Sequence, residues 1–382
     1  MTATHNTVTK QPGPGLNIST KKTRKARFLD EMDRVVPWVV LVQIVEPHSP
    51  RAKTGRPPLA VETMLRIHYL QQWFSLSDPA MEKALRDTPV FREFTKIGQG
   101  VARLPDKTTI LRLRHLLERH DLAPDMLRLV NDILSVKGML PRTGTVVDAT
   151  LIAAPSSTKN VDGQRDPEMK QTKKGNQRYF GTKAHIDVDA QSGLVHTVAG
   201  MAANFNDLNT AGALLHGDEE ATFGDAGCQG VHKRPEAQGP TWHVAMRRGL
   251  RRKLNPFIEP DLVAERVEKM KARNRAKVEC PFRVVKRQVG FTQLRYRGLA
   301  ANTAQLVTLF ALSSLWLARS ISVSSATSKR VLTSRARASA ADPTAWQAWP
   351  RRRVTSLANQ PVNHIASDAD LSSGARADAK PK

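Results

Sequence analysis

Asp148 interrupts a short apolar run, Thr145-Val146-Val147, whose β-forming residues mark a buried strand. A carboxylate there costs several kcal/mol unless something pairs with it. It is therefore either a structural Asp tied to backbone N–H groups or an Arg, or a ligand for a metal ion. A second short strand, 221–224, ends the same way, in Asp225 followed by the tight turn Ala226-Gly227. A third acid, Glu279, stands in a helical stretch dense with Lys and Arg. Carboxylates converging at strand ends suit Mg2+, or Mn2+ in its place, because these ions take oxygen ligands. In a basic protein the matching substrate is a phosphodiester, with two ions ~4 Å apart assisting the attacking and leaving oxygens of an in-line displacement. Spacing alone does not decide between that reading and scattered surface acids. Cys228 and Cys280 lack the paired spacing of a zinc motif. His115 and His185 read as packing residues or phosphate contacts.

The balance of charge supports a polyanionic partner. The chain of 382 residues has 59 Lys and Arg against 35 Asp and Glu, a net charge of +24, with 40% hydrophobic residues. The apolar content fits a globular protein rather than a disordered one, and the charge predicts attraction to nucleic acid or an anionic surface. Two cysteines form no disulfide framework and fit a reducing compartment. The N-terminus is polar with no signal pattern, and the most apolar stretch, 306–317, is too short for a bilayer and carries Thr308, Ser313 and Ser314. The expectation is a cytoplasmic, nucleoid-associated protein with no membrane partner.

These acids need elements to position them. Residues 1–27 read as a disordered basic arm, with Lys21, Lys22, Arg24, Lys25 and Arg27 together. A helical pattern starts at Phe28 and stops at Pro37, and a turn-rich linker with Arg51, Lys53 and Arg56 follows. Residues 59–120 read as short helices. One opens at Asp78-Pro79, with Asp as cap and Pro first. Another opens at Pro105-Asp106 and carries Arg112 and Arg114 on its basic face, as in a helix-turn-helix-like DNA reader. A helix over 126–136 ends at Lys137-Gly138. After the Asp148 strand, 154–175 reads as a long polar loop whose Lys170, Lys173 and Lys174 reach phosphates. An edge-like strand over 179–189 pairs with 194–199 as a hairpin, a short helix opens at Asn206-Asp207, and a strand is expected over 241–246. From Pro260 a long basic helix reaches Glu279, and Pro281 makes it break or restart. Arg275 lies one turn before Glu279, so the two share a face if the helix is unbroken. After a strand-like segment over 289–296, an apolar helix over 303–318 closes the patterned part. Residues 320–382 are rich in Ser, Ala and Arg without periodicity and read as a disordered basic tail.

The stretches 55–85, 105–120, 145–160, 165–189, 224–230 and 278–316 resemble, in order, DDE transposases of bacterial insertion sequences, of the IS-five family. The resemblance runs from about Phe28 to Ala318. It implies an α/β fold: a helical N-terminal DNA-binding domain over 28–140, and an RNase H-like catalytic domain, a mixed sheet flanked by helices, over 141–319. It implies that Asp148, Asp225 and Glu279 are the catalytic, metal-binding triad. The family signature reads Tyr, two residues, Arg, three residues, Glu, six residues, Lys. Arg275, Glu279 and Lys286 stand at those positions, with Ala272 in place of Tyr, Cys228 where Tyr is usual and Cys280 where His is usual. Arg275 and Lys286, with Lys183, Lys173, Lys174, Arg112 and Arg114, are then the expected DNA contacts. The implied activity is Mg2+-dependent cleavage and strand transfer at the terminal inverted repeats of an element. Its partners would be repeat and target DNA, and a dimer or larger when two ends are synapsed. A metal-dependent nuclease without strand transfer and a DNA-binding relic without catalysis are the competing functions.

Overall fold

The start of the first helix shows how local chemistry sets this fold. Thr23 accepts the Ala26 N–H at 3.1 Å, and helix α1 (Arg24–Val35) runs on from that cap, burying Leu29 and Met32. The expected arm therefore ends earlier than 27: Arg24, Lys25 and Arg27 are helical, and the Lys25 ammonium lies over the rings of Phe74 and Phe91. The structure, a computed structural model, describes residues 21–50, 57–98, 103–141, 143–159 and 163–319. Most of the expected arm, the linker residues Arg51, Lys53 and Arg56, and the expected tail 320–382 lie outside the described residues.

Six more helices complete the N-terminal layer: α2 (Trp38–Val45), α3 (Val61–Trp73), α4 (Asp78–Asp87), α5 (Pro89–Phe94), α6 (Lys107–Arg119) and α7 (Leu122–Val136). Helix α2 occupies part of what reads as linker. Its run is β-branched and apolar apart from Gln43 and so offers little helical periodicity to read, because most of it packs on neighbours. The cap of α4 is Ser77, whose hydroxyl accepts the Ala80 N–H, so Asp78 is the first helical residue and not the cap. Asp106 caps α6 through the Thr109 N–H at 2.7 Å. The core of this layer includes Leu41, Leu65, Leu70, Met81, Leu85 and Val130. One charge is buried in it. Arg66 lies 4.2 Å from the Trp38 ring, donates to the Phe94 carbonyl, and pairs with Asp33 and Glu62, so its charge is matched on all sides.

The second layer is a six-stranded mixed sheet built from β1 (Gly144–Ala153), β2 (Lys170–Lys174), β3 (Gln177–Asp189), β4 (Val195–Ala202), β5 (Ala221–Gly224) and β6 (Thr241–Val244). Strand β3 pairs antiparallel with β1 on one side and with β2 and β4 on the other, whereas β1, β5 and β6 run parallel. Two expectations change here. Strand β3 is interior, not an edge, and the loop over 154–175 contains β2. Strand β2 is five polar, mostly exposed residues with no apolar alternation, and β3 alternates Ala184, Ile186 and Val188 with His185, Asp187 and Asp189, yet all of these are buried. The polar set faces the second side of the sheet, so the strand has the pattern of a half-exposed one.

Helix α8 (Asp207–Leu214), capped by Asn206, connects β4 to β5. After β6 come the single turn α9 (Arg248–Arg251), then α10 (Glu259–Arg275), a 3-10 turn over Ala276–Val278, and α11 (Glu279–Arg283), which continues into a π turn over Val284–Gln288. The expected restart at Pro281 is present, with the α-helix beginning again two residues before it. Proline has no N–H for the carbonyl four residues back, so the chain tightens into 3-10 geometry before resuming. Val278, Phe282 and Val285 of this stretch pack on Val146, Ala184 and Ile186 of the sheet.

The last helix, α12 (Leu299–Ala318), belongs to both layers. Leu306, Leu309 and Phe310 lie in the core of the sheet, and Leu312, Leu315 and Ala318 in the core of the helical layer. By length and composition it is apolar enough to cross a membrane, but it is buried through most of its length and is a core helix here.

Candidate active site

Strands β1 and β5 run parallel with Val146 opposite Phe223. Asp148 and Asp225 each lie two residues further along, so the register sets Asp148, in the middle of β1, beside Asp225, just past the end of β5. Glu279 reaches the site from the other direction, as the first residue of α11, exposed and next to the buried Val278. The packing of Val278 and Phe282 on the sheet is what brings it there.

The electrostatics of Asp148 report the convergence. Its carboxyl is pushed up to about 6, first by burial and then by the carboxylates of Asp225 and Glu279, against the lowering effects of the Ala149 N–H and Arg275. The Ala149 N–H donates to its Oδ1 at 2.7 Å, and Arg275 Nη2 stands 4.0 Å from its Oδ2. Asp225 is aimed by the turn after it: its Oδ1 accepts the Gly227 N–H at 2.8 Å and lies 3.6 Å from the Cys228 Sγ. A Cβ on Gly227 would sit 2.9 Å from that oxygen, which is why glycine follows Asp225 at this distance. Asp148 and Asp225 line one cleft and Glu279 acts on Asp148 through its charge, an all-oxygen donor set of the kind that suits a hard divalent cation.

Among the expected DNA contacts the structure separates two kinds. Lys173 and Lys174 are exposed on β2 and Arg112 is exposed on α6. Lys286 is half-buried beside the acids and donates to Thr150 Oγ1 at 2.6 Å and the Leu151 carbonyl at 3.0 Å. Burial and the neighbouring Lys174 hold its ammonium below the usual range. Arg275 is fixed beside Asp148, although the intervening 3-10 turn keeps it off the regular face that an unbroken helix would give it with Glu279.

Two expected contacts are internal instead. Arg114 pairs with Asp78 at 2.9 Å and Glu118 at 3.5 Å and lies 4.1 Å from the Tyr296 ring, so it ties α6 to α4 and to the segment before α12. Its spacing on α6 places it toward Asp78, while Arg112 faces out. Lys183 donates to Asp207 Oδ1 at 2.9 Å and to the Phe205 carbonyl at 2.8 Å, which anchors the start of α8.

Asp207 is a cleft residue that its sequence neighbours do not announce. With His185 and Cys228 it lines the cleft that also holds Asp148 and Asp225. The signal present was only that of a helix start, Asn206-Asp207. His185 is buried, bonded through Nδ1 to the Thr210 hydroxyl at 3.1 Å, and burial lowers it to about 4, so it is a neutral imidazole near pH 7. Burial, with Asp225 beside it, pushes the Cys228 thiol up to about 12, so it is no nucleophile.

Residues 140–315 match the family model described as Transposase DDE domain, and residues 17–116 match that described as Transposase domain (DUF772). No solved structure matches the chain. Together the two family matches support a DDE transposase, with DNA as the implied substrate.

Proposed function

We propose that the protein cuts DNA and transfers the cut strand at the terminal inverted repeats of its own insertion sequence, with Asp148, Asp225 and Glu279 holding one or two Mg2+ or Mn2+ ions. The observation that carries this reading is the parallel register of β1 and β5, which sets Asp148 and Asp225 in one cleft, with the Glu279 charge felt at Asp148 from a separate element. A divalent ion held there supplies Lewis acidity at a phosphoryl oxygen and a more acidic attacking hydroxyl. The protein's own groups do the rest. Arg275 and Lys286 flank the acids with positive charge and orient a phosphate among them, and the neutral His185 and Cys228 close the floor of the cleft without adding charge. The exposed Lys173 and Lys174 of β2, and Arg112 of α6, hold flanking backbone.

The helical layer is proposed to bind the repeat DNA and the sheet layer to be RNase H-like. The mixed sheet, with Asp148 within β1 and Asp225 just past the parallel β5, supports the second assignment. The Arg275, Glu279 and Lys286 spacing supports placement in the IS-five family. Synapsis of two ends requires at least a dimer. The proposed setting is the cytoplasm at the nucleoid, which suits a chain with two unpaired cysteines.

The test is a labelled terminal-repeat duplex incubated with the protein and Mg2+. Cutting with joining supports the transposase, cutting alone indicates a nuclease, and binding alone indicates a relic. Asp148→Asn is expected to abolish cutting while DNA affinity stays equal or rises, since a negative charge next to phosphate is removed. Retention of full cleavage by this variant would dismiss the triad.

A further inference from the structure

The face of the sheet turned away from Glu279 carries a second group of ligand-type side chains. Asp187, in the middle of β3, is wholly buried between Val147 of β1 and Thr197 of β4. Its Oδ1 accepts the Thr145 hydroxyl, and its Oδ2 has no hydrogen-bond partner. Facing it is the segment between α8 and β5. Gly217, at φ +97°, lets that segment fold back on itself. Glu219, with its side chain 1% exposed, then accepts the backbone N–H groups of His216 and Gly217. The His216 ring is turned to the same carboxylate, with Nε2 3.5 Å from Glu219 Oε1. One ligand atom each from Asp187, His216 and Glu219 lie within 4.8 Å of one another.

We propose that Asp187, His216 and Glu219 are a second metal site, distinct from the three acids, that takes a transition dication of the Zn2+ type. Two buried carboxylates facing each other are costly without a cation, and of the two only Glu219 has His216 within ion-pair distance. Asp187 is held well above the usual carboxylate range by burial and by the Glu219 and Asp189 carboxylates, which is how an unmatched buried acid responds. The donor set chooses the ion. One imidazole with two carboxylates is the chemistry of Zn2+ and its neighbours, whereas Mg2+ takes oxygen alone. The spacing agrees: ligands ~2.0–2.1 Å from a tetrahedral ion stand roughly 3.4 Å apart, close to the His216–Glu219 separation. A second imidazole, His196 of β4, stacks on His216 with ring centres 4.4 Å apart and lies at the edge of the cluster.

The site has a mechanical role. It ties β3 to the segment that leads directly into β5, and β5 ends at Asp225. A bound ion would therefore fix the strand that presents one of the three acids, without touching the cleft itself.

The experiment uses the full chain, stripped with chelator, dialysed against trace Zn2+ in excess Mg2+, and assayed for bound zinc. One tightly held Zn2+ per chain is expected. Glu219→Gln and His216→Gln should weaken it by at least about 100-fold, while Asp148→Asn keeps it. Because the first two variants can lose the fold as well as the ion, X-ray absorption at the zinc edge of the unaltered protein is the second measurement. A nitrogen and oxygen shell with imidazole scattering and no sulfur supports the site. A sulfur ligand, no retained zinc, or undiminished zinc in well-folded Glu219→Gln would overturn it. None of these readouts depends on DNA cleavage, so the proposal stands or falls apart from the function proposed for the first site.

Discussion

Asp148 is held in a state that the folded protein pays for at neutral pH. Its folded pKa of about 6 lies above the ordinary 3.8, so the native state binds a proton that the unfolded chain has released across that interval. Stability from this group therefore falls as pH rises from about 4 to about 6 and stays lower above it. In metal-free protein, Asp148→Asn should raise stability at pH 7.5 by roughly 1–3 kcal/mol, and the gain should vanish below about pH 4. Denaturant melts at the two pH values check this, and a loss at pH 7.5 would mean that Arg275 outweighs the two acids. The two places where Tyr is usual in the family behave differently. Ala272 is exposed on α10, so Ala272→Tyr should leave stability within about 0.5 kcal/mol. Cys228 is 5% exposed, and its Cβ lies 2.9 Å from where a Cβ on Gly224 would be. Cys228→Tyr overfills that corner, and a loss of about 1–3 kcal/mol is expected in thermal melts.

At the scale of elements, α6 shows one face that binds inward and one that is exposed. Breaking the Arg114 pairs leaves Asp78 half-buried beside His68 without its counter-charge, so Arg114→Ala should cost about 2–4 kcal/mol. Arg112→Ala should leave the melt unchanged and weaken DNA binding. The reverse result, measured by titration with repeat DNA, would put the reading face elsewhere. On α3, His68 is buried and lowered to about 4 by burial, then by Arg114. Its folded pKa is below the ordinary 6.5, so its contribution is complete above pH 6.5 and is lost as pH falls toward 4, by roughly 3 kcal/mol. His68→Gln should flatten that part of the stability profile.

Elements also mark where the sequence is legible and where it is not. The strand through Asp148 and the one that ends before Asp225, the β3–β4 hairpin, the Asn206 cap and the restart near Pro281 each rest on local signals, namely β-branched runs, turn residues, a cap or a proline. Strand β2, the interior place of β3, and the inward turn of Arg114 depend on what lies across space from them. The cluster of Asp187, His216 and Glu219 is the extreme case. Its members are spread over 187–219, and nothing in their sequence neighbours announces that a glycine turn will fold two of them onto a strand.

Taken whole, the molecule is a basic body with a small negative centre. With ~6–10 phosphates neutralised, affinity for DNA should fall by roughly three to five decades between 50 and 200 mM salt. A flat response in a salt titration would remove the nucleic-acid reading. The last helix gives this body a further property. Two stretches, 17–116 and 140–315, match separate family models, and a boundary between them looks like a seam along which halves could be exchanged. Yet Leu312 and Leu315, near the end of the chain's patterned part, fill the core formed by its beginning. An ancestor that traded its first half for another would also have needed a new α12 to seal it. The helical and sheet layers of such proteins are therefore expected to be inherited together, and a shuffled chimera joined near residue 130 should be insoluble unless α12 comes from the same parent as the helical layer.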